Sequence, residues 1–422
     1  MKRPALRAAA LGPAVVAAIA YVDPGNIATN TEAGSRFGYA LLWVVVAATV
    51  AAGLVQYLAA RTGLLTGRSL PQLMGERLGR RGRVAYWAQA EGVVIATDIA
   101  EVVGAAVGLH LLFGVPPAVG GVVAGAAGLG LLLLRDALGA RALEVMSGCA
   151  LAAIGAGFVV GLVAAPPGLR ELTTGLVPSL PGPEAALLAA GIVGATVMPH
   201  AVYLHSGLAA EAAWGEPRPD PVCPARHPLL RSTAWAVAGA MLAAGAVNVS
   251  MLLVGASALR GVDDDTMTGL VGALGHRAGD GAATAFAVAL LVSGVASTSV
   301  GTHTGSIVMA GLLHRRVPVA LRRLAALVPA VLVLAWAPDP MTPLVLTQVI
   351  LFVGLPFAVV PLLLAARAAR PSVSGRGHHG EEHFQQLVAS SGGRCGGVVA
   401  VEEGAAHRAV VDGGQRAGQR QG

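Results

Sequence analysis

The sequence predicts an all-α polytopic membrane protein, built from two five-helix repeats of opposite orientation with a helix break in the first and sixth spans. Three observations predict it. Hydrophobic residues make up 55% of the 422 and charged residues only 12%, where soluble domains carry roughly 25% charge. Apolar runs long enough to cross ~30 Å of hydrocarbon as helices recur along the chain as far as about residue 366. The basic residues between those runs alternate in density, which sets a topology.

Taken in order, the runs cover approximately residues 11–33, 39–60, 85–113, 115–134, 142–165, 184–210, 233–259, 282–312, 317–337 and 342–366. With Lys2, Arg3 and Arg7 on the cytoplasmic side, the alternately inside segments as far as residue 370 carry twenty Lys and Arg, among them Arg61, Arg68, Arg77, Arg80, Arg81 and Arg83 in one loop. The alternately outside segments carry four, Arg36, Arg170, Arg260 and Arg277. By the positive-inside rule both ends of the chain are cytoplasmic; the membrane is expected to be the plasma (inner) membrane. The acidic outside loop Asp263-Asp264-Asp265 agrees. The competing view of the first run is a signal peptide cleaved after Ala18-Ile19-Ala20, which would remove half a span and spoil the alternation downstream.

The net charge of +6 is explained by these loop clusters, so no nucleic-acid partner is expected. Cys149, Cys223 and Cys395 lie far apart with no paired spacing, which argues against a disulfide framework or a zinc site. Residues 1–370 form the membrane core, with repeat one at 11–165 and repeat two at 184–366. Residues 371–422 are rich in Gly, Arg, His and Gln and are expected to be a disordered cytoplasmic tail, His378, His379 and His383 included.

The first run contains Ala20-Tyr21-Val22-Asp23-Pro24-Gly25-Asn26, a turn signature in a soluble protein but a carboxylate, a helix breaker and an amide inside a span here. The sixth contains Met198-Pro199-His200. Paired broken helices in corresponding positions of two halves point to a binding site near the bilayer midplane. Unwinding at each proline frees backbone carbonyls, with Ala20 and Ala195 the natural candidates. One carboxylate (Asp23), one amide (Asn26), carbonyls and one thioether (Met198) tilt the site toward first-row divalent cations and cadmium, since calcium and magnesium sites use oxygen alone. A proline kink and a gap-filling methionine are the plainer alternatives.

In the third run Glu91, Asp98 and Glu101 are spaced to share one helical face. Carboxylates at membrane depth commonly form proton relays, while a static ion pair is the alternative. His200 is placed to titrate near neutral pH, whereas His205 reads equally well as a satisfied core histidine. In the eighth run Ser293, Ser297, Thr298, Ser299, Thr302, His303 and Thr304 read as a close-packing interface. Gln348, in the tenth, is a poorly tolerated polar group able to complete a cation's shell. No HExxH, GxxxxGK[ST] or GxSxG occurs, so a metalloprotease, P-loop ATPase or serine hydrolase has no anchor. The chain is read as no enzyme, and any uphill transport must be driven by an ion gradient.

Asp23-Pro24-Gly25-Asn26, Gln56-Tyr57 with the downstream Thr66-Gly67, and Met198-Pro199-His200 followed by Ala-Val-Tyr-Leu-His205-Ser206 together resemble the Nramp (natural resistance-associated macrophage protein) family over roughly residues 10–366. That family comprises proton-coupled divalent metal transporters, typified by bacterial manganese transporters. The resemblance implies a LeuT-like fold with metal ligands at Asp23, Asn26 and Met198 and the Ala20 and Ala195 carbonyls, joined by Gln348 in a more occluded state. It implies proton-route acids at Asp98 and Glu101, with Glu32 and His200 near the site, and a cytoplasmic-side polar network of Glu91 with Arg322 and Arg323. The implied cargo is manganese or iron, extending to cobalt, nickel and cadmium, moved with protons by a monomer in the lipid bilayer; no cofactor is needed. A sodium-coupled amino-acid transporter of the same fold and a transport-inactive metal sensor or scaffold are the alternatives. Family members usually have an eleventh or twelfth span where this chain has its Gly/Arg-rich tail, as a truncation or frame change would produce, and the ten-helix core is expected to stand without it.

Overall fold

A computed structural model describes residues 3–368, except 139, 215–225, 263, 265, 316 and 338. The expectations for the tail and its histidines, for Cys223 and Cys395, and for Asp263 and Asp265 lie outside the described residues. Among the described residues every regular element is a helix. They are α1 (Arg3–Ala20), α2 (Pro24–Phe37), α3 (Leu42–Thr66), α4 (Leu70–Arg77), α5 (Arg80–Phe113), α6 (Pro117–Leu138), α7 (Ala140–Ala164) and α8 (Leu169–Gly175). Then come α9 (Pro183–Val197), α10 (Pro199–Trp214), α11 (Arg226–Ala258), α12 (Met267–Ala278), α13 (Asp280–Leu313), α14 (Val319–Trp336) and α15 (Met341–Ala368).

Each of the ten apolar runs falls on a helix or a helix pair. Seven helical stretches among the described residues are long and apolar enough to cross a membrane, and Ala10–Ala20 and Pro117–Leu131 are shorter apolar helices. The first run is divided into α1 and α2 and the sixth into α9 and α10, as the prolines require. The short helices α4, α8 and α12 lie between the runs and carry no apolar stretch long enough to have been read from hydropathy. α4 instead starts on a local signal, a capping box in which Ser69 and Gln72 satisfy each other's backbone N–H groups.

The distribution of polarity is that of a protein whose solvent is hydrocarbon. Exposed positions include Val50, Leu54, Val163, Leu242, Leu332, Val353, Phe357 and Val360, while Asn26, Asn30, Gln56, Asp98, Glu101, His200 and Gln348 are buried. Lipid offers no hydrophobic drive to bring helices together, so packing and polar contacts between helices must do it. The pairings that position the site are α5 on α13, α2 on α11, α3 on α10, and α9 on α15.

Candidate functional site

The two helix breaks are built differently. After Ala20 the chain tightens, with the N–H groups of Tyr21 and Val22 donating to the carbonyls of Ala18 and Ile19 at 3.1 and 3.2 Å. Asp23 then takes an extended conformation and caps α2, its Oδ1 accepting the Asn26 N–H at 2.9 Å, with Pro24 in the first turn. At the second break one residue does the work. Met198 ends α9 with φ 29° and ψ 103°, a positive φ that a non-glycine residue adopts at a cost of ~1–3 kcal/mol, and Pro199 keeps its ψ out of the helical range.

Both prolines act at a fixed distance. In an unbroken helix the carbonyls of Ala20 and Ala195 would each accept the N–H four residues on; those residues are Pro24 and Pro199, which have none. Asp23, Asn26, Met198 and Gln348 are all fully buried. Gln348 on α15 is drawn to the first break, its Nε2 lying 3.3 Å from Asp23 Oδ2 and 3.2 Å from Thr347 Oγ1. Its Oε1 is buried without a hydrogen-bond partner. This helix also runs close against the second break: a Cβ on Gly194 would collide with the backbone carbonyl of Gln348. Among the described residues no three His, Cys, Asp or Glu side chains converge to hold a metal; what the breaks offer is one carboxylate with amides, a thioether and two carbonyls.

Asn26 is more committed than its sequence position suggested. Its Nδ2 donates to the Tyr21 carbonyl and to Asn248 Oδ1, the latter at 3.0 Å, and its Oδ1 accepts from Asn30 Nδ2. Asn30 and Asn248 thus hold it in place. Tyr21, in the break itself, receives Gln56 Nε2 on its hydroxyl, and Gln56 Oε1 meets His205 Nδ1 at 2.7 Å. His205 is therefore tied into the interior on that nitrogen. His200 faces elsewhere, its Nδ1 lying 3.3 Å from Thr97 Oγ1 on α5.

That contact leads to the acids. Asp98 is the next residue on α5, and a Cβ on Gly301 of α13 would stand 2.7 Å from Asp98 Oδ1 and 3.4 Å from Glu101 Oε1, so both carboxyls face that helix. Glu101 is buried with its carboxyl against that of Asp98, close enough for the two to share a proton. The two arginines that the resemblance grouped with Glu91 divide their work. Arg322 grips Glu91 with two nitrogens, at 2.9 and 3.3 Å, whereas Arg323 lies 3.8 Å from Asp98 Oδ1 and donates to Thr298 Oγ1 at 3.1 Å. Glu32, expected near the site, pairs at 3.0 Å with Arg36 in the later turns of α2, and Arg36 also bridges to Glu184 on α9.

Residues 14–371 match the family model described as natural resistance-associated macrophage protein-like. The chain belongs to the Nramp family. Among its Nramp relatives, the divalent metal cation transporter MntH of Mycobacterium tuberculosis is 51% identical over 354 residues, covering 84% of this chain and 82% of the relative. MntH of Deinococcus radiodurans is 45% identical over 368 residues, covering 86% and 83%. The fold matches a crystal structure of the Eremococcus coleocola manganese transporter with a TM-score of 0.75 at 31% identity, over 85% of this chain and 79% of that one. A nucleobase-cation-symport-1 family transporter matches at a TM-score of 0.57 with 17% identity, over 80% and 74% of the chains, and shows the LeuT-like fold alone.

Proposed function

We propose that this chain imports divalent transition-metal cations, manganese and iron foremost, by symport with protons, as a monomer in the plasma membrane with both termini cytoplasmic. The observation that carries the proposal is the fully buried donor set at the paired breaks, with Asp23 its carboxylate and Met198 its thioether. A lone carboxylate supplies charge and the sulfur supplies softness, which favours manganese, iron, cobalt, nickel and cadmium over calcium and magnesium. The names of the relatives, divalent metal cation transporters, support the same cargo.

In this reading Asp23 Oδ2, the Met198 sulfur, the Asn26 side chain and the carbonyls of Ala20 and Ala195 hold the cation. Turning the Gln348 amide brings its unpartnered Oε1 to face it in place of Nε2. A proton exchanged with Asp23 passes toward Asp98 and Glu101, with the His200–Thr97 contact joining the second break to α5. The inward membrane potential favours entry of positive charge by ~2.3 kcal/mol per charge per 100 mV. An amino-acid cargo fits poorly. Its carboxylate would need the N-terminus of a half-helix, and that of α2 is already capped by Asp23.

The deciding experiment is manganese uptake into proteoliposomes under an imposed pH gradient. Wild-type protein takes up manganese faster when the outside is acidic, and Asp23→Ala abolishes uptake. Uptake by Asp23→Ala at the wild-type rate refutes the site.

A further inference from the structure

A buried serine or threonine on a helix has a default partner, the carbonyl four residues earlier on its own helix. On α13, Ser297, Thr298, Thr302, Thr304 and Ser306 follow that default, donating to the carbonyls of Ser293, Gly294, Thr298, Val300 and Thr302 at 2.6 to 3.1 Å. Ser293 does not. Its hydroxyl leaves α13 and donates to the carbonyl of Val22, and both residues are fully buried.

Val22 is the residue before Asp23, so its carbonyl belongs to the peptide plane from which the Asp23 side chain projects. The preceding carbonyl, of Tyr21, is taken by Asn26 Nδ2. The carbonyls of Tyr21 and Val22, which follow the released carbonyl of Ala20, are therefore each fixed by a side chain, one from α2 and one from across the bundle. A serine present only for its small size would have had its own helix's carbonyl available, as its neighbours do. One turn further along, Thr298 receives Arg323, the partner of Asp98. The helix read as a packing interface thus reaches the break through one hydroxyl and the acid network through another.

We infer that Ser293 is a positioning residue for the substrate site: by holding the Val22 carbonyl it fixes the Asp23 carboxylate in register with Met198 and Gln348. The inference rests on the reading of Asp23 as the centre of the cation site. Removing the hydroxyl leaves the carbonyl buried without its donor, a loss on the order of one hydrogen bond, and frees the peptide plane to turn.

The test is manganese binding by calorimetry with the purified full chain, alongside uptake in proteoliposomes. Ser293→Ala is compared with Ser297→Ala, which deletes the same atom from the same helix but breaks only a local bond. Ser293→Ala raises the Kd for manganese about tenfold, equivalent to ~1.4 kcal/mol, with the maximal uptake rate held within about twofold. Ser297→Ala leaves Kd unchanged, and Ser293→Thr, which keeps the hydroxyl, restores it. If Ser293→Ala does not fold, Ser293→Cys, with a weaker donor of similar size, binds more weakly than Ser293→Thr. Equal Kd values for Ser293→Ala and Ser297→Ala, or for the Cys and Thr variants, overturn the inference alone. Wild-type affinity in Asp23→Ala overturns the site reading and this inference together.

Discussion

Met198 combines two properties that a packing residue does not need together, a thioether at a fully buried position and a backbone with φ 29°. Replacing it by alanine removes the only soft donor in the proposed set. Competition uptake should then show the preference for manganese over calcium falling about tenfold, the equivalent of ~1.4 kcal/mol, with manganese uptake retained. Unaltered selectivity would return Met198 to packing. Asn248 supports the site differently, by accepting from Asn26 Nδ2. Asn248→Ala leaves that donor short of a partner, a cost of ~1–3 kcal/mol, read as a lower melting temperature with weaker manganese binding. The residues in the two breaks were legible because proline and a charged side chain are conspicuous in an apolar run. Asn30, Asn248 and Thr97 were not, because a single uncharged polar residue in a span has no sequence signal of the partner it will meet.

Helices carry the second layer of the design. Glu91 on α5 and Arg322 on α14 form a two-nitrogen ion pair in a mostly buried place, where removing one partner strands the other's charge at ~3–5 kcal/mol and removing both costs much less. The double variant Glu91→Gln/Arg322→Met is therefore expected to melt above either single variant, and a melting temperature at or below the lower single value would exclude the pairing. Asp98 on the same helix faces Arg323 and α13 rather than the Glu91–Arg322 pair. Neutralising it in Asp98→Asn should reduce proton flux more than manganese flux in matched proteoliposome assays, while equal losses would assign it a structural role. The spacing of Glu91, Asp98 and Glu101 predicted a shared face of one helix, but periodicity says nothing about which arginine each acid will face. That depends on how α13 and α14 pack, which no local pattern encodes. The short helices α4, α8 and α12 escaped for a related reason, since hydropathy registers only what must cross hydrocarbon.

At the scale of the molecule, many large apolar side chains are exposed on the outside while a set of polar ones is buried beside the apolar core, and the breaks fall at corresponding positions of two inverted halves. The fold was readable because the bilayer imposes length and hydropathy on every helix. The arrangement of loop arginines sets a further expectation: in a background freed of the three native cysteines, cysteines introduced at Arg68 and Arg77 should be protected from membrane-impermeant thiol reagents in intact cells and react once the cells are permeabilised, and labelling in intact cells would invert the topology. The proline-released carbonyls of Ala20 and Ala195 have a different consequence. Two of the proposed ligands, one in each half, belong to the peptide backbone, so an alanine scan cannot detect them; the positions are already alanine. Restoring an N–H with Pro24→Ala or Pro199→Ala would set the helix and the cation in competition for the same oxygen lone pairs. The continuity of two helices and the affinity for cargo thereby become opposite ends of one balance, adjustable at positions that touch the cargo with no side chain at all.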